Sequence, residues 1–343
     1  MLNIIQNRKF YFIFSGLTVG LSILSLFIFG LKPSIDFSGG SLIELSFSGS
    51  RPVLEDMHAI FEDTIYGNVL VQPIGDNGYV FKMRFVNEQE HQAILSAVRS
   101  KFQVEGDPRE AVSVEGSGEV IVTDVVAQTA DNTTTTNETD FLQTSIQENK
   151  VLEERFETIG PAVSANLKDR SVKLTVVVIV AIILYIAYTF RKISRPVRSW
   201  KYGVTAAIAL FHDVIITMGV FALLGRYYGV EVDIPFVVAL ITILGYSVND
   251  TIVVFDRIRE KLIQYGYENF EDIVNKGVNE TLMRSINTSM TVLIVLVGLY
   301  FLGGESIRYF SLALIIGVGF GTYSSIFLAS PLLVVWQKLA DRR

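Results

Sequence analysis

The sequence predicts an α-helical membrane protein of six spans with a small α+β domain inserted after the first. Three observations carry this. Of the 343 residues 50% are hydrophobic and only 19% charged, with a mean hydropathy of +0.41, as in a membrane chain with one modest soluble part. Six stretches approach the roughly 20 apolar residues that a span needs: 10–30, 171–190, 202–224, 234–255, 285–303 and 309–336. Asp213 and Asp250 lie inside the third and fourth of these, where a carboxylate costs about 2.5–3.5 kcal/mol.

Composition also excludes. The formal charge of −6 comes without a basic cluster interleaved with aromatics, which argues against a nucleic-acid partner. The absence of cysteine removes disulfide and thiolate chemistry. His58, His91 and His212 are too few and too scattered for a metal centre, so neither metal nor cofactor is expected.

Residues 1–30 hold the N-terminus and first span. That apolar run follows Arg8-Lys9 and exceeds the ~7–15 residues of a signal-peptide core. Gly30-Leu31-Lys32-Pro33 offers no small-residue cleavage site, so an uncleaved anchor is expected. Residues 31–170 form the inserted domain and 171–343 a five-helix bundle. Arg191, Lys192, Arg195, Arg198 and Lys201 crowd one loop; Arg257, Arg259, Lys261, Lys276 and Arg284 crowd another. Lys338, Arg342 and Arg343 follow the last span, whereas the alternate short loops hold only Arg226 and Arg308. The positive-inside bias therefore puts both termini in the cytoplasm and 31–170 outside.

In the outer segment, 41–47 alternates as a strand, and 53–66 is helical with Leu54, Met57, Ile60 and Phe61 on one face. Strands at 68–74 and 78–86 flank the turn Gly75-Asp76-Asn77-Gly78, 88–102 is a second helix, and 111–126 returns to β-branched residues. The order β-α-β-β-α-β suggests a ferredoxin-like split βαβ domain. Residues 128–150, with Thr133-Thr134-Thr135-Thr136, are too polar to pack and read as a disordered insert.

Asp213 lies about eleven residues, hence ~16 Å, into its span, where an ionisable group is functional by default. Asp250 is nearer the end of its span, and a carboxylate there can also snorkel or pair with Arg257 or Arg284. Arg284 opens the fifth span at a depth matching Asp250, which makes an Asp–Arg switch reasonable. His212 adjoins Asp213 but points about 100° away around the helix, so it enters only as a supporting polar residue, with Asn249 and Asn287. Gly317 and Gly321 fit the small-xxx-small packing pattern. Inward-facing polar residues are expected to leave Asp213 against lipid unless a partner covers it. No clustered nucleophile, base and orienting group points to catalysis.

The motifs Asp36-Phe37-Ser38-Gly39-Gly40, Glu157-Thr158-Ile159-Gly160-Pro161, Phe211-His212-Asp213-Val214-Ile215-Ile216-Thr217, Gly245-Tyr246-Ser247-Val248-Asn249-Asp250 and Arg284-Ser285-Ile286-Asn287-Thr288 together resemble the SecF family. These are the smaller subunits of the SecDF accessory of Sec protein export, relatives of the RND transporters. The resemblance implies an RND-like half in the bacterial inner membrane, an obligate pseudo-symmetric SecD-like subunit, and action on preproteins at SecYEG. It implies that a proton or sodium gradient drives late export, with the acidic coupling residues at Asp213 and Asp250 and their basic partner at Arg284. Two other classes compete: half of an RND-type solute exporter, and an intramembrane aspartyl protease using Asp213 with Asp250. The outer domain is small for an RND porter, and His-Asp and Asn-Asp differ from the Tyr-Asp and Gly-x-Gly-Asp patterns of such proteases.

Overall fold

The computed structural model describes residues 1–61, 66–67, 69–102, 150–189, 199–266 and 269–341. In chain order the elements are α1 (Arg8–Phe29), α2 (Ile35–Ser38), β1 (Gly40–Phe47), α3 (Leu54–Ala59), β2 (Leu70–Ile74), β3 (Gly78–Met83), α4 (Glu88–Phe102) and β4 (Val151–Ile159). There follow α5 (Pro161–Thr189), α6 (Ser199–Tyr228), α7 (Ile234–Tyr265), α8 (Phe270–Leu302), α9 (Glu305–Ser324), a π-helical turn (Ser325–Ala329) and α10 (Ser330–Asp341). Two compact units result, Met1–Gly39 with Pro161–Arg343, and Gly40–Gly160.

Among its described residues the first unit contains six helices long and apolar enough to cross a membrane, the last formed by α9, the π-turn and α10. Hydropathy caught only part of several of them. α7 has 32 residues and α8 has 33, about 48 Å of helix against a ~30 Å hydrocarbon core. The polar start of α8 anchors the N-terminal segment. Asn279 accepts from the Leu2 amide (2.8 Å), Asn275 donates to the Leu2 carbonyl (3.0 Å), and Ile4 and Ile5 are fully buried. Glu271 meets both Arg8 (2.7 Å) and Lys338 (2.6 Å).

The turn Asp36–Gly40 has a structural task. Asp36 accepts from the first amide of α7, Ile234 (2.9 Å), while Asp233 caps the same helix through Phe236 N (2.8 Å). Gly39 (φ 73°) and Gly40 (φ 130°) then turn the chain through conformations that a side chain would oppose.

Helix contacts inside this unit follow small residues. A Cβ on Gly317 would strike the Ile243 side chain, and one on Gly321 would come 3.1 Å from Ser247 Cβ. The four-residue spacing on α9 thus matches a four-residue spacing on α7. Gly319, on the other side, meets nothing within 4 Å.

The Gly40–Gly160 unit is an antiparallel sheet in the order β2-β3-β1-β4. That is the ferredoxin-like arrangement, with every neighbour antiparallel. Ile43, Leu45, Phe47, Tyr79 and Phe81 are buried with Ile94, Leu95 and Val98 of α4. α4 opens with a reciprocal capping box: Asn87 Oδ1 accepts from Glu90 N (2.9 Å) and Glu90 accepts from Asn87 N (3.0 Å). The last strand is β4; the expected strand at 111–126 and the insert at 128–150 lie outside the described residues, except Lys150, which precedes β4. The helix expected over 53–66 is described as α3, six residues, with 62–65 outside the description.

Candidate functional site

Both intramembrane aspartates are buried within this one chain. Asp213 is 0% exposed, enclosed by α6, α7 and α9. The expectation that it would face lipid without a partner is therefore corrected: the chain's own helices cover it. Its Oδ2 accepts from Ser247 Oγ (2.6 Å) on α7 and Ser324 Oγ (2.8 Å) at the end of α9. Gly321 lets Ser247 pack closely here, since a Cβ on it would stand 3.1 Å from Ser247 Cβ, while Oδ2 would lie at an ordinary 3.5 Å.

Asp213 Oδ1 is 2.9 Å from His212 Nδ1. Sequence reasoning set these residues about 100° apart on α6. The angle describes Cα–Cβ directions, and two freely rotating side chains on adjacent residues have folded toward each other. His212 is only 5% exposed, beside Phe320 and Tyr323 of α9.

Asp250 is 8% exposed and holds a second set of partners. Ser285 Oγ of α8 donates to Oδ1 (2.5 Å), and Ser325 Oγ of the π-turn donates to Oδ2. A third polar group continues the layer: Tyr246 donates to Ser289 (2.9 Å), which is 2.5 Å from Thr322. None of these serines was singled out as an aspartate partner. The signal was present: Ser247, Ser285, Ser324 and Ser325 all lie within apolar spans, where a hydroxyl seeks a polar mate.

Arg284 is not with Asp250. It is exposed on α8 and lines a cleft of about 510 Å3 with Asp256, Arg257, Arg259, Glu260 and Glu280. Among the described residues those carboxylates pair elsewhere, Glu280 with Arg257 and with Lys261 (3.0 Å), Asp256 with Arg259 (3.1 Å). Asn249 and Asn287 are also exposed and lie outside the serine layer. No group of three or more His, Cys, Asp or Glu residues suited to a metal occurs among the described residues.

The comparisons place this architecture. Residues 142–339 match the model for "Protein export membrane protein SecD/SecF, C-terminal", and 24–50 match the "SecD/SecF GG Motif". The SecF translocase subunit of Thermobaculum terrenum is 38% identical over 98% of this chain and 94% of its own length. The chain belongs to the SecF family. The SecF subunit of Anaerolinea thermophila is 32% identical, again over 98% and 94%. Among solved structures, SecDF of Thermus thermophilus superposes with a TM-score of 0.74 at 27% identity, covering 98% of this chain. SecDF in a super-membrane-facing form gives 0.58 at 25%. The chain spans 39% of the length of either SecDF chain. The family and the six helices make it a multi-pass protein of the bacterial inner membrane.

Proposed function

We propose that this SecF-type chain is a non-enzymatic, ion-coupled subunit assisting the late steps of protein export, working beside a SecD-type subunit and the SecYEG channel. In this reading both termini are cytoplasmic, the sheet domain within 31–170 handles the emerging preprotein, and a proton or sodium gradient supplies the work. Asp213 and Asp250 carry the ion, and Arg284 answers Asp250 in an alternate state. One charge moved through 100 mV is worth about 2.3 kcal/mol, enough to bias a mechanical step.

The observation that carries this is the serine layer. Two buried carboxyls are each met by hydroxyls from two other segments, and the two sets converge on neighbouring residues, Ser324 and Ser325. Such groups exchange partners when the helices that carry them move. Ser285 and Arg284 are adjacent on α8, so turning that helix by ~100° exchanges a hydroxyl for a guanidinium at Asp250. The aspartyl-protease alternative gains nothing here, because a dyad shares a proton and each of these carboxyls has its own serines.

The test is gradient-dependent export in inverted membrane vesicles containing the SecD-type partner. Asp213→Asn and Asp250→Asn should assemble at normal levels and lose the gradient-stimulated part of export. Full stimulation in both would leave the aspartates as structural hydrogen-bonding groups.

A further inference from the structure

We propose that His212 is the proton carrier of Asp213, receiving a proton from water on Nε2 and passing one from Nδ1 to Asp213 Oδ1. This rests on the ion-coupling reading and adds to it the residue through which a sealed carboxyl is loaded. Asp213 is wholly buried, so bulk water cannot reach it directly. Its Oδ2 is occupied by two serine hydroxyls, and among the described residues Oδ1 is met by His212 alone, at 2.9 Å. A serine hydroxyl orients a proton but does not hold a second one near neutral pH; an imidazole does.

The other ring nitrogen gives the independent observation. Nε2 is buried and has no hydrogen-bond partner among the described residues. An unmade bond at such a buried atom asks for an explanation. Free of fixed protein partners, Nε2 accepts the proton in the state of the cycle in which helix movement opens it to water. Among the described residues the titratable groups facing the ring are Asp213 on α6 and the Tyr323 phenol on α9. That phenol is committed to α1, 3.1 Å from Ser15 Oγ and 3.2 Å from the Tyr11 carbonyl oxygen.

The transfer balances. The ring starts as the Nδ1–H tautomer beside an ionised Asp213. A hydronium gives its proton to Nε2 and leaves as water, while the Nδ1 proton moves to Oδ1. The products are the Nε2–H tautomer and a neutral carboxyl; unloading reverses both moves. One proton advances, and no net charge is left on the ring.

The test compares gradient-stimulated export of the assembled complex for His212→Asn, His212→Gln and Asp250→Asn. Asparagine keeps an N–H close to where Nδ1 stands, so the bond to Asp213 survives while protonation is lost. Glutamine carries its amide farther out and serves if the asparagine variant assembles poorly. Stimulation should fall about a hundredfold in either histidine variant, the low end for a positioned proton carrier, and the pH profile of the remainder should differ from that of the native chain. If Asp250→Asn loses stimulation while a well-assembled His212 variant keeps it with an unchanged pH profile, the relay is wrong and the coupling reading stands. If none of the three loses it, the coupling reading falls first.

Discussion

Ser324 and Ser325 are consecutive residues that serve different carboxyls: Ser324 donates to Asp213 and Ser325 to Asp250. The π-turn begins between them, at Ser325, and the Ser330 hydroxyl closes on the Ser325 carbonyl five residues back (3.2 Å). A π-turn inserts a residue into the α-helical ladder and often marks a functional site. Here the break falls at the residue pair that joins α6 to α7 and α8.

The two serines should therefore act on separate partners. Ser324→Ala should cost about 1–3 kcal/mol by stripping a donor from a buried carboxyl, and so should Ser325→Ala. In double-mutant cycles on thermal stability, Ser324→Ala should be non-additive with Asp213→Asn and additive with Asp250→Asn, and Ser325→Ala the reverse. Equal coupling of both serines to both aspartates would contradict the division.

Gly317→Ala should destabilise the bundle by about 1–3 kcal/mol, the usual cost of overpacking, because its Cβ runs into Ile243. Ile243→Ala in the same chain should recover much of the loss. Gly319→Ala, facing open space, should be neutral or slightly stabilising. Melting temperatures in detergent decide, and an equal penalty at Gly317 and Gly319 would place α9 differently.

α4 should loosen in acid. The hydrogen bond from Arg84 (2.6 Å), then the Asn87 amide, hold the Glu90 carboxyl below the ordinary glutamate range. A depressed carboxyl contributes stability above its unfolded value, near pH ~4.3, and loses it as pH falls through the lower folded value. Amide exchange at 88–92, corrected for intrinsic rates, should rise below that range in the native chain. Glu90→Gln should show the looser helix at every pH, with the acid step gone.

His91 should prove a packing residue of the sheet domain. It is 3% exposed and stacked on Phe156 with ring centres 3.7 Å apart, and Nε2 lies 2.9 Å from Glu153 Oε1. His91→Ala should expose the junction of α4 and β4 to protease, whereas His91→Phe should largely preserve it. Unchanged proteolysis in His91→Ala would remove this role.

Much of this molecule could be read from its residues. Continuous apolar runs located all six spans, and strict alternation located β1, because burial on one face leaves a period of two. Where the physics mixes signals, reading failed. The polar first half of α8 has no membrane signature, yet it packs the N-terminal segment. β4 reads Val-Leu-Glu-Glu-Arg-Phe-Glu-Thr-Ile, the end strand of the described sheet, whose exposed charges mask its alternation. The carboxyl positions were plain, since a charge in a span is conspicuous. Their serine partners were not, since one hydroxyl in an apolar run looks like many others, and only the fold decides which meet.

The pairing of β1 with β4 also sets a clock. Ser41 meets Thr158 across the sheet, 2.6 Å apart and 117 positions distant in the chain. At ~5–20 residues per second, a ribosome needs roughly 6–23 s to make that separation. Through this interval a finished central strand has one edge without its mate, and an open edge is what strays and aggregates. The sheet domain is thus itself a slow, late-closing client during its own biogenesis.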